Sequence, residues 1–356
     1  MSHSPVLARI CLMALLAPAA ALALPPADPA MIAKAAAFAE RQRANVDDVL
    51  GHAGEDGMAL LVIPTVNLDA HPKRDFDDRD TRDAFARQRS MFMQWMNVGK
   101  REYGLTVGQD TRKFDPFDIG PLFQTPSGAL TYQVIPLWPG EYRLGRITYF
   151  QPRAVVPEAT GRLEKEAILK KVGVARMTET MDVDYEKTGP WPKHEKETDD
   201  GLGQGCEVVL RLGGGCDEAA REFRWQVIAD RAVTAGAAEP SAVPSYDAVL
   251  TFAPIASISV KAGDVVLTDG FVLDGQPELD KRMCGGSGGT ITCAMQSVTV
   301  KRLPASIESF RQAPTAASFK LPKLDAALRD LVYRAPTMLV EPADKASPNV
   351  IKAEME

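Results

Sequence analysis

The chain opens on an apolar run, Ile10–Ala23 (ICLMALLAPAAALA), and Arg9 is the only charge before it. Ala21-Leu22-Ala23 closes the run. A positive start, a short apolar core and an Ala-x-Ala end are the parts of a secretory signal peptide, so residues 1–23 are expected to be removed by cleavage after Ala23. The run is shorter than the ~20 residues that span a bilayer, and Pro18 breaks it. Cys11 stands at the beginning of the run, not at its end, so it does not fit a lipid-attachment site. No later stretch is apolar and long enough to anchor the chain.

Past the leader, residues 24–51 read as an N-terminal helix, with Asp28 as N-cap, Pro29 at the first helical position and Gly51 at the C-terminal end. Met58–Val66 (MALLVIPTV) is an apolar run of strand length. His71–Asp83 is a charged, solvated segment. Ala84–Val98 is so dense in Met and aromatics that its pattern does not separate helix from strand. Leu130–Val134 reads as a strand, and Pro139-Gly140 as a turn. In the stretch that follows, Tyr142 and Leu144 share one parity, Ile147 and Tyr149 the other, with Gly145 between them. A β-bulge at Gly145 produces such a switch, as would two short strands in place of one.

Residues 155–205 alternate charges with few large apolar side chains, and Ala235–Ser245 is a second loose segment. Strand patterns return at Val249–Val260, Asp264–Leu267, Phe271–Leu273 and Ile291–Val300, with turns at Ala262-Gly263 and Asp269-Gly270. A short helix is expected after Pro322 (KLDAALRDLVYR), within a C-terminal helical segment 311–340. The charged residues 341–356 are expected to be a disordered tail. Many short strands, with helices near the chain ends, predict a mainly β protein. The expected fold is an antiparallel β-sandwich of Ig-like or prealbumin-like type over residues 52–310.

The 356 residues carry a net charge of −6, made more acidic by loss of Arg9 with the leader. That balance argues against nucleic acid and anionic lipid as partners. Four cysteines remain after cleavage: Cys206, Cys216, Cys284 and Cys293. An even number in an exported chain reads as disulfides. The expected pairs are Cys206–Cys216 and Cys284–Cys293, each enclosing glycines and closing a loop worth roughly 2.5–3 kcal/mol by chain entropy. A crossed pairing stays open. Neither spacing matches the C-x₂₋₄-C pairs of a zinc site.

Two segments resemble known proteins. Leu137-Trp138-Pro139-Gly140-Glu141-Tyr142-Arg143-Leu144 is similar to an L-x-P-G-x-Y-x-L strand start, and Ile258–Val266 (ISVKAGDVV) to a later V-x-A-G-x-x-Y hairpin. Both occur in small bacterial envelope β-sandwich families of the DUF2846 type and in prealbumin-like folds. Here Val266 or Leu267 stands where the second motif has an aromatic. The two motifs also lie more than a hundred residues apart, where those families have a few tens. The resemblance implies a β-sandwich with residues of about 155–245 as an insertion or second lobe, and no catalytic residues.

Candidate chemistry is sparse. Ser287 matches G-x-S-x-G, but that elbow needs a strand before the serine and a helix after it. A paired cysteine hairpin is the competing reading. A Ser-His-Asp site would need His52, His71 or His194 as its base, and all three sit among Pro, Gly or charged residues. Asp75, Asp77, Asp78 and Asp80 could offer oxygens to calcium. Arg79 and Asp80 break the EF-hand order, and a solvated charged loop competes. Glu195, Glu197, Asp199 and Asp200 beside His194 read the same way. Trp95, Trp138, Tyr142 and Tyr149 could line a ligand groove, against the competing reading of strand aromatics in a core. No cofactor is expected. The sequence therefore predicts a soluble, exported envelope protein that binds an envelope protein or small ligand, or plays a structural part. The alternative is a periplasmic hydrolase.

Overall fold

The computed structural model describes residues 29–67, 84, 87–88, 90–100, 103–110, 123–152, 158, 172–183, 242–312, 321–342, 344 and 346–354. The leader lies outside these residues, as do Cys206 and Cys216. The protein is mostly β, with largely antiparallel sheets and a few short helices. Helix α1 (Pro29–Gly51) comes first, followed by β1 (Ala59–Val66), β2 (Ser90–Asn97), β3 (Gly104–Asp110), β4 (Phe123–Ser127), β5 (Leu130–Leu137) and β6 (Gly140–Pro152). Then come β7 (Gly173–Val183), β8 (Ala242–Val260), β9 (Val265–Leu267), β10 (Gly270–Leu273), β11 (Glu278–Ser287) and β12 (Thr290–Leu303). Short helices α2 (Ile307–Arg311) and α3 (Pro322–Ala327) precede β13 (Val332–Tyr333), β14 (Thr337–Met338) and β15 (Val350–Glu354).

One sheet runs β13-β9-β1-β5-β4, and the larger runs β10-β12-β7-β8-β6-β2-β3, with β11 and β15 on β12 and β14 on β8. Strand β1 explains its own sequence. Ala59, Leu61 and Ile63 enter the core shared with the larger sheet, while Leu60 and Val62 enter a second core under the helices. With both faces covered, the strand is a continuous apolar run, not an alternation. In the second core Val46 and Leu50 of α1, Phe310 of α2 and Leu324 of α3 cover Phe123, Tyr132 and Val134. Tyr132 meets Phe310 edge-on at 5.3 Å.

Strand β2 shows the half-buried alternation that its bulky sequence conceals: Met91, Met93 and Trp95 are buried, while Phe92 and Gln94 are half-exposed. The bulge at Gly145 is present. Leu144 pairs with Trp95 and Arg146 with Gln94, so Gly145 is left without a partner in the ladder. All four residues of the parity switch, Tyr142, Leu144, Ile147 and Tyr149, are therefore buried on one face. Gln133 joins the two sheets. Its amide accepts from the Gly108 N–H at 3.0 Å and donates to the Gly108 carbonyl at 2.8 Å, as a neighbouring strand would.

Three expectations are corrected. The stretch 155–245 is not wholly an insertion: β7 lies within it and sits between β8 and β12 in the larger sheet. The C-terminal helix is shorter than KLDAALRDLVYR. It ends at Ala327, tightens into a 3-10 turn over Leu328–Asp330, and gives way to β13, where Val332 and Tyr333 pair in parallel with Val266 and Leu267. The expected disordered tail contains β15, antiparallel to Ser297–Lys301 of β12. Ile351 and Ala353 are buried, so a period-two pattern lay under the tail's charge.

Candidate functional site

The structure separates the candidate residues. Cys284 stands directly opposite Cys293 in the β11–β12 ladder and is bonded to it, with both residues fully buried. Ser287 ends β11. Gly288 and Gly289, at φ 58° and 76°, form the two-residue turn into β12, and this turn type requires two positive φ values. The G-x-S-x-G segment thus lies on strand–turn–strand. His52 is on the surface at the end of α1, its Nδ1 3.0 Å from the Asp48 carbonyl and 3.3 Å from the Asp48 carboxylate. His71, His194, Asp75, Asp77, Asp78, Asp80, Glu195, Glu197, Asp199 and Asp200 lie outside the described residues. Among the described residues no cluster of three His, Cys, Asp or Glu could hold a metal ion. Nor is any helix among them long and apolar enough to cross a membrane.

The four aromatics part company. Trp95, Tyr142 and Tyr149 are core residues at 0–2 % exposure, whereas Trp138 is 46 % exposed. Trp138 lies in the link between β5 and β6, against the β2–β3 hairpin. Tyr103, on that hairpin, stacks beside it with ring centres 6.1 Å apart and planes 29° apart. The Lys100 ammonium sits 5.2 Å from the centre of the Tyr103 ring. Val98, 48 % exposed, together with Pro139 and Glu141 borders an open cleft of about 430 Å³. Glu141 is engaged with Arg143 at 2.7 Å. No carboxylate pairs with Lys100 among the described residues.

Buried groups hold this shelf from below. The Tyr142 hydroxyl donates to the Trp138 carbonyl at 2.8 Å. Burial pushes that hydroxyl above its ordinary value, against a hydrogen bond with Asn97, so it remains a donor at neutral pH. Asn97 accepts through Oδ1 from the N–H groups of Gly99 and Lys100, both at 2.9 Å, which shapes the β2–β3 turn. The Val98 N–H donates to the Glu141 carbonyl at 2.9 Å and ties the two loops together. Gly140 has to be glycine here, since a Cβ would lie 2.4 Å from Asn97 Nδ2.

No protein-family model, curated protein or solved structure matches this chain. The two segments that resemble envelope sandwiches nevertheless meet in space. Gly140 pairs with Val260 and Tyr142 with Ile258, although more than a hundred residues separate them in sequence. Sequence reasoning singled out Trp138 but missed Tyr103, Lys100 and Asn97. The legible sign was Asn97-Val98-Gly99, turn residues directly after an apolar strand.

Proposed function

We propose that this is an exported, soluble envelope protein that acts by binding, built on a β-sandwich of Ig-like or prealbumin-like type. Its binding surface is the shelf of Trp138 and Tyr103. The carrying observation is a 46 % exposed tryptophan whose backbone carbonyl is held by a hydrogen bond that it accepts from the Tyr142 hydroxyl. A large ring left in water beside a cation with no carboxylate partner among the described residues, and beside an open apolar cleft, is the usual form of a recognition site. Because Asn97 and Tyr142 already order the shelf, a ligand would meet a surface whose conformational entropy is spent before binding.

The leader supports export, and the Cys284–Cys293 bond suits an oxidising compartment. Cell fractionation followed by N-terminal sequencing tests this part. The expected result is a chain starting at Leu24 in the periplasmic or extracellular fraction; an intact Met1 in the membrane pellet would refute it. For the binding part, Trp138 emission is followed while the mature protein is titrated with fractionated envelope extracts. A blue shift that disappears in Trp138→Ala is expected. If no fraction moves the emission, the shelf is not a binding surface.

A further inference from the structure

We infer that the ligand of the Trp138 shelf is an acidic carbohydrate. This rests on the reading of the shelf as a binding surface and names its ligand class. The cleft is open and shallow, so a ligand lies across it and is not enclosed. The Trp138 indole, 46 % exposed, offers an apolar ring to a ligand, with the Tyr103 ring centre 6.1 Å away. A pyranose matches it, because one face presents C–H groups and the edge presents hydroxyls. Hydrogen-bonding groups surround the rings, as that edge requires: Glu141, half-exposed, and Lys100, exposed.

Charge narrows the class. Glu141 has its charge taken up by Arg143, while the Lys100 ammonium faces the Tyr103 ring with no carboxylate partner among the described residues. Lys100 is thus an exposed cation beside the rings, although the whole chain is net −6. An anionic substituent on the sugar, carboxylate or phosphate, would give Lys100 a charged partner. An extended peptide is the less favoured occupant. It would bind by strand addition to a sheet edge, and the nearest edge strand, β3, already has the Gly108 N–H and C=O occupied by Gln133.

The experiment uses the mature full chain, with calorimetry and Trp emission as readouts. The probes are an oligouronate, a phosphorylated oligosaccharide and a neutral gluco-oligosaccharide of equal length. At least one acidic sugar is expected to bind about tenfold more tightly than the neutral one, and which of the two does so identifies the anionic group. Lys100→Gln should remove that preference and leave weak binding common to all three. Trp138→Ala should abolish binding by all three, and Trp138→Phe should restore part of it. Melting curves for each variant confirm that the fold is intact. Equal affinity for acidic and neutral sugars overturns the acidic assignment. If no sugar binds while an envelope protein shifts Trp138 emission in the wild type and not in Trp138→Ala, the carbohydrate assignment fails and the binding surface stands. If neither sugars nor envelope extracts shift it, both readings fail.

Discussion

Two adjacent aspartates on α1 offer an internal control on what holds the helices to the sheet. Asp47 is buried, and its Oδ1 accepts from the backbone N–H of Lys323 at 3.0 Å and of Leu324 at 2.9 Å. Those N–H groups open α3, whose own N-cap position is Leu321, a residue with no side-chain acceptor. Asp47 therefore caps a helix that lies 276 residues away in sequence. Asp48 also touches Lys323, but through the ammonium at 2.5 Å and at the surface. Asp47→Ala removes a cap, which costs about 0.5–2 kcal/mol. It also strands a buried Leu324 N–H that water cannot reach, at about 1–3 kcal/mol. These costs overlap, so a combined loss of about 3 kcal/mol is expected. Asp47→Asn keeps the acceptor and loses the charge, so it should lose roughly half as much. Asp48→Ala removes only exposed, screened contacts, with Lys323 and His52, and should leave stability unchanged within error. Urea unfolding followed by Trp fluorescence reads all three at constant m-value. Equal losses for Asp47→Ala and Asp48→Ala, or a loss under about 1 kcal/mol for Asp47→Ala, would refute the capping argument.

Three further outcomes are expected. Gly270→Ala should unfold or cripple the protein, by more than about 3 kcal/mol, because its Cβ would lie 1.8 Å from the Pro64 carbonyl oxygen in the backbone of β1. Gly275→Ala, at φ 75° in open space, should cost only about 1–2 kcal/mol of backbone strain, and near-wild-type melting of Gly270→Ala would contradict the sheet packing. Peptide mapping without reductant should recover Cys284 joined to Cys293. The double alanine variant should lose roughly 2.5–3 kcal/mol; free thiols at both positions would exclude the bond. At Asp264, partial desolvation is outweighed by hydrogen bonds from Arg334 at 2.8 Å and the Lys261 N–H at 2.9 Å, which hold the carboxyl below its ordinary value. A lowered folded-state value stabilises above the unfolded-state value of 3.8 and loses that contribution as pH falls through the folded one. The acid limb of a stability–pH curve should flatten in Asp264→Asn, and an unchanged limb would count against the pairing.

Sequence patterns were most informative where one local rule decides the structure. Gly145 between two parities can be reconciled with a single buried face by a bulge, and the bulge is there. The paired glycines between Cys284 and Cys293 admit a tight turn, and the cysteines then fall opposite each other. The pattern failed where long-range pairing overrode composition. Strand β7 is rich in Thr, Glu and Asp, yet it holds a place between β8 and β12 because Ala175 and Met177 alternate into the core. Asp269-Gly270 was legible as a break in the chain, but its role was not. The chain crosses there from β9 in one sheet to β10 in the other. The fully buried Asp269 is matched by the Arg302 guanidinium, the Ala305 N–H at 2.8 Å and the Tyr333 hydroxyl at 3.0 Å. A buried carboxylate is tolerable at a crossing because each oxygen meets a donor there. Those donors come from 33 to 64 residues downstream, beyond the reach of any local pattern.

The same limit explains why three of four aromatics could not be told from the fourth. In a sheet with one wet face, parity separates core from surface residues, and an aromatic out of phase with its neighbours declares itself exposed. Strand β5 has both faces covered: Tyr132 and Val134 join the core under the helices, Leu137 the core between the sheets. Trp138 continues the even parity of Leu130, Tyr132 and Val134, so it reads as another buried position. What exposes it is that β5 ends there. Pro139 lacks a ladder donor, Gly140 turns the chain against Asn97, and the indole extends beyond the last paired strand. Exposure at Trp138 is thus set by where pairing stops, and pairing stops where Asn97, more than forty residues upstream, meets Gly140. The contact that shapes the site is the part a linear pattern does not carry.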